Sequence, residues 1–131
     1  MIASHQAYSR ARVWVDNIRN GGAAAIVSAH SLAETYSVLT RIPAPQQLAP
    51  NVAWRLIQQD ILAIAEVIAL TSQEYQDLIE RLAKSQIVGG AVYDAVIADI
   101  ALKSQVDHIV TLNARDFRRV NPALTATIII P

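Results

Sequence analysis

Residues Val88–Val120 read VGGAVYDAVIADIALKSQVDHIVTLNARDFRRV, and this stretch decides the fold. Gly89-Gly90 breaks the chain, and Ala91 to Ser104 then carries apolar residues at helical spacing. Asp107 to Leu112 is a short apolar run suited to a buried strand, followed by a polar turn. A helix feeding a short buried strand is the unit from which α/β domains with parallel sheets are built. Two acids stand out in it. Asp94 lies at the start of the apolar helix, and Asp116 follows Thr111 and Asn113 just past the strand.

Working outward, the same alternation holds. His5 to Asn20 places Ala7, Ala11, Trp14, Val15 and Ile18 at helical spacing, and Gly21-Gly22 stops that helix. Ala23 to Val27 reads as a strand. Ser28 is a fitting cap for a helix that runs to about Arg41, where Pro43 and Pro45 forbid continuation. Pro50 suits the first turn of the next helix, whose expected buried stripe is Trp54, Ile57, Ile61 and Leu62. Glu66 to Leu70 is a second strand, and Thr71 with Glu74 stands in capping-box register for a helix through about Lys84. Thr125 to Ile130 is the last strand. The expectation is one three-layer α/β domain over residues 1–131, with a mostly parallel sheet flanked by helices.

Composition narrows the function. The chain of 131 residues is 53% hydrophobic and 17% charged, which favours a packed core over disorder. No apolar run approaches the roughly 18 residues of a membrane span, and no secretory pattern is visible. The absence of cysteine excludes disulfides and thiolate zinc sites and fits a cytoplasmic setting. With a net charge of zero, contact with nucleic acid needs a local basic patch. Arg115, Arg118 and Arg119 around Asp116, together with Arg41, are the candidates for one; a solvated basic face is the competing reading.

At about 100° per residue, Asp94 falls in the arc of Tyr93, Val96, Ile97, Ile100 and Ala101, while Asp99 falls outside it. Asp99 then reads as a surface acid paired with Lys103 four residues on. Asp94 has two readings: an acid complementing the helix dipole, or a ligand at the carboxyl edge of the sheet, where such sites form. Asp116 divides in the same way, since Asn113 can cap a short helical turn that an acid would complement. Glu34 lies about 200° from Leu32 and reads either as a solvated residue paired with Arg41 or as an acid near a helix start that follows a strand. Carboxylates converging at one edge repel unless a hard cation such as Mg²⁺ neutralises them. His5, His30 and His108 show no zinc spacing; His30, one turn before Glu34, is the histidine to watch.

The stretches SAHSLAETYSVLTRIP, YDAVIADIA and TLNARDF resemble the PIN-domain nucleases, especially the VapC-type toxins of bacterial toxin–antitoxin pairs. The resemblance spans nearly the whole chain with its motifs in order. It implies a metal-dependent ribonuclease fold using Mg²⁺ or Mn²⁺, with Glu34, Asp94 and Asp116 as three of four acids. Thr111 and Asn113 match the supporting polar positions. It further implies an RNA substrate, a cognate antitoxin and a homodimer. The departure is at the start: the family opens with a central strand ending in the first acid, and here the chain begins after it. Asp16 lies too deep in its helix to substitute. The expectation is therefore a domain short of that strand and that ligand. A late start codon, a decayed remnant or a strand lent by a second copy would each account for this. A catalytically silent protein that binds an antitoxin-like peptide or its own copy is the alternative function.

Overall fold

The computed structural model describes residues 13, 16–110, 117–124 and 127–129. They fall into two compact units, residues 1–69 and 70–131. Each unit is an α/β arrangement built around a pair of parallel strands.

In the first unit, residues 16–19 are helical, and the turn closes through Gly21 N–H to the Ile18 carbonyl and Gly22 N–H to the Asn17 carbonyl. Gly21 adopts a φ of 78°, the left-handed conformation this end requires. β1 (Ala25–Ser28) leads directly into α1 (Ala29–Arg41), and α2 (Pro50–Ile57) packs against α1. Pro50 does occupy the first turn of α2, where its missing N–H costs nothing. A π-helical turn, Gln58–Leu62, ends that segment and precedes β2 (Ala65–Ile68). β1 and β2 pair in parallel, with Ala25 opposite Ala65 and Val27 opposite Val67.

The second unit opens with α3 (Ser72–Lys84), whose start carries the full expected capping box. Thr71 Oγ1 accepts the Glu74 N–H at 3.1 Å, and Glu74 Oε1 accepts the Thr71 N–H at 2.9 Å. α4 (Ala91–Lys103) follows Gly89-Gly90. α5 (Phe117–Val120) lies in sequence between β3 (His108–Val110) and β4 (Thr127–Ile129), which pair in parallel. α3 and α4 end alike. Gln86 and Gln105 take φ of 56° and 53°, and the next amide, of Ile87 or Val106, donates back to Leu82 or Ala101. The core here is Leu78, Leu82, Ala95, Val96, Ala98, Ile100, Phe117, Val120 and Leu124, all buried.

The α/β class with parallel strands is as the periodicity implied, but several details differ. The first strand begins at Ala25 and includes Ser28, so Ser28 both ends the strand and caps the helix. The second begins at Ala65 and stops at Ile68. The third strand begins at His108 rather than Asp107; residues 111, 112, 125, 126 and 130 of the expected third and fourth strands lie outside the described residues. Of the expected stripe on α2, Ile57 is buried while Trp54 is 50% exposed. The segment is short and passes into a π turn at Gln58, so helical periodicity does not carry through to Ile61 and Leu62.

Candidate functional site

Glu34 is positioned by the junction of β1 and α1. Ser28 Oγ accepts the Ser31 N–H at 3.0 Å and lies 2.6 Å from Ser31 Oγ, fixing the helix start. Thr35 Oγ1 donates to the Ser31 carbonyl at 2.7 Å and secures the next turn. His30 stands in the first turn and Glu34 one turn later, on the same side of the helix. The His30 Nε2 lies 2.5 Å from Glu34 Oε1, with the imidazole 29% and the carboxylate 56% exposed. Glu34 therefore partners His30 rather than Arg41, because residues seven apart are nearly two turns distant. Arg41 is exposed in the last turn of α1.

Asp94 is the acid of the first turn of α4 and is half-buried. One turn either way along the helix stand Ala91 and Ala98, both buried and both small, which leaves the carboxylate room. No side chain caps α4, whose N-cap is Gly90, so the amides at its start face an acid in the first turn. This geometry fits the dipole reading.

Asp99 departs from its expected role. Its Oδ1 accepts from Arg81 Nη2 at 2.8 Å and from Asn121 Nδ2 at 2.7 Å, and its side chain is only 16% exposed. Asn121 Oδ1 in turn accepts the Ala123 N–H at 3.1 Å, and Arg81 also reaches the Val120 carbonyl at 3.4 Å. Lys103, the partner expected for Asp99, instead holds Glu74 Oε1 at 2.9 Å. The reason is that α4 is buried nearly all round, so the flank carrying Asp99 is covered by its neighbours α3 and α5. Asp99 is thus a structural acid tying three elements together. Neither Arg81 nor Asn121 was identified from sequence; the available signal was Arg81 standing between the core residues Leu78 and Leu82.

Glu74, at the start of α3, has a shifted acidity. Its carboxyl is held below the ordinary value, chiefly by the Thr71 backbone N–H and next by the Lys103 ammonium, against a smaller opposing effect of burial.

Thr111, Asn113, Arg115 and Asp116 lie outside the described residues, as does the Arg118 side chain. Arg119 is exposed on α5. Glu34 belongs to the first unit and Asp94 to the second. Within either unit, the described residues bring no three His, Asp or Glu side chains together as a metal-holding group. The proposed donors are all carboxylates, the chemistry that hard divalent cations take. No helix among the described residues is long and apolar enough to cross a membrane.

Residues 1–121 match the family described as PIN domain. The chain is similar to Ribonuclease VapC27 of Mycobacterium tuberculosis, 36% identical over 118 residues that cover 90% of this chain and 77% of that protein. It is also similar to Ribonuclease VapC40 of the same organism, 44% identical over 69 residues, 53% of this chain and 50% of that protein. No solved structure matches the chain.

Proposed function

The chain belongs to the PIN-domain family in its VapC-type branch, and on that premise we propose that it is a divalent-metal-dependent ribonuclease cleaving RNA phosphodiesters. The observation that carries the proposal is the likeness to a named ribonuclease across 90% of the chain. Glu34, Asp94 and Asp116 are the proposed ligands of Mg²⁺ or Mn²⁺, with Thr111 and Asn113 supporting them. Their oxygen donors suit such a cation; the Glu34 carboxylate is exposed and Asp94 is half-buried.

A bound cation of this kind lowers the pKa of water and stabilises charge on a phosphodiester under attack. The chain's own work is to hold and orient. Ser28 and Ser31 fix the turn from which Glu34 projects, and Ala91 and Ala98 leave space around Asp94. Arg41, Arg115, Arg118 and Arg119 are the proposed contacts to the RNA backbone, where a guanidinium matches phosphate geometry. A cognate antitoxin and a second copy of the chain are the proposed protein partners, and the cytoplasm the proposed setting. The chain is proposed to act as one PIN-like domain. Comparing RNA cleavage by the unaltered protein with Glu34→Gln, Asp94→Asn and Asp116→Asn tests the assignment. Each variant is expected to lose cleavage while keeping its far-UV circular dichroism.

A silent binding module is the second reading, favoured by Val52 and Trp54, which leave 36% and 50% of their surface exposed on α2. Stable partner binding without hydrolysis, and melting insensitive to Mn²⁺, would decide for it.

A further inference from the structure

A glutamate ligand must surrender the rotamer freedom of a long side chain to hold a cation. On α1 that freedom is already restricted. The His30 imidazole is 29% exposed and sits in a helix turn pinned by Ser28, whereas the Glu34 carboxylate is 56% exposed. The better-packed partner is therefore the ring, and the carboxylate is the group being held. The ring nitrogen lies against Oε1.

We infer that His30 is a positioning residue: its Nε2, in close contact with Glu34 Oε1, holds that oxygen and presents Oε2 to the cation. The inference rests on Glu34 being a cation ligand, as proposed above. Hydrogen-bonded partners of ligating carboxylates typically set metal affinity by about 10–100-fold, through orientation. An ordinary helix-surface pair at this spacing would alter melting slightly and leave cation affinity alone. The two roles therefore separate on a binding measurement.

Mn²⁺ affinity, read from the free-ion electron paramagnetic resonance signal at one fixed neutral pH, tests this on the full chain without any substrate. His30→Ala is expected to weaken Mn²⁺ binding about tenfold. His30→Gln, whose amide can donate from a similar distance, is expected to restore most of it. Glu34→Gln is expected to weaken binding at least as much as His30→Ala, and Glu80→Gln, a carboxylate paired with Lys84 on α3, to leave it unchanged. Should His30→Ala fail to fold, His30→Phe keeps a ring without the donor and is compared with His30→Gln instead. Unchanged affinity in His30→Ala or His30→Phe, with Glu34→Gln impaired, overturns the positioning role and leaves the ligand assignment standing. Failure of His30→Gln to bind better than the donor-less variant also overturns it. Normal binding by Glu34→Gln, or no binding by the unaltered chain, overturns the ligand assignment itself and the inference with it.

Discussion

Replacing Asp99 by alanine should be among the most damaging single changes in the second unit. The carboxylate accepts from Asn121 Nδ2 at 2.7 Å and Arg81 Nη2 at 2.8 Å, and Asn121 is only 6% exposed. Removing the acceptor leaves a buried amide donor with no partner at that oxygen, which costs about 1–3 kcal/mol. The Arg81 side chain is 38% exposed, so solvent screens its share, and the lost pair adds about 0.5–1 kcal/mol. Asp99→Ala should therefore destabilise by about 1.5–4 kcal/mol. Asp99→Asn retains an oxygen acceptor for one donor and should cost about half as much. Urea unfolding followed by circular dichroism measures both, a lower midpoint at unchanged slope marking a true loss of stability. A double-mutant cycle of Asp99→Ala with Arg81→Ala should show coupling, since the two share a partner. A loss below about 0.5 kcal/mol for Asp99→Ala, the size of an exposed helix pair, would refute this account and restore Asp99 as a surface acid.

Three further outcomes are expected. Gln86→Gly and Gln105→Gly should each raise stability by about 0.5–1 kcal/mol in thermal or urea unfolding, because both positions hold a side chain at positive φ. A loss in both variants would show that the glutamines contribute more than their conformation costs. Thr71→Ala should lower stability by about 1 kcal/mol through loss of the cap on α3, with melting as the check. The folded Glu74 carboxyl lies below its ordinary value of 4.5, so its stabilising effect is complete above that pH and disappears as pH falls through the lower folded value. The stability gap between the unaltered protein and Glu74→Gln should accordingly close on acidification; a gap that widens contradicts the cap and the Lys103 pair as its source.

Much of the fold was legible in local chemistry. Ser28 and the Thr71–Glu74 box satisfy helix-start amides through neighbours in sequence, Pro50 removes one such amide, and the structure uses all three as the sequence implied. What failed depended on residues distant in the chain. Asp99 looked exposed because a helix wheel assumes one wet face, while α4 is covered on most of its circumference. Its partners are 18 and 22 residues away, beyond any periodicity. Trp54 failed for the opposite reason: spacing defines a face but not whether a neighbour covers it. At the candidate site, the place of Glu34 after a strand and of Asp94 in a first turn was readable. The His30 contact was visible only as a spacing of four, and its preference over Arg41 is set by helix geometry.

RNA cleavage with a divalent cation held by Glu34, Asp94 and Asp116 is the activity proposed for this chain. Cleavage of a mixed single-stranded RNA by the purified protein, with EDTA and with Mg²⁺ or Mn²⁺ restored, tests it most directly when paired with Asp94→Asn. Cleavage should stop in EDTA, return with either cation, and be absent from a folded Asp94→Asn protein. Cleavage that persists in EDTA and in Asp94→Asn would contradict it.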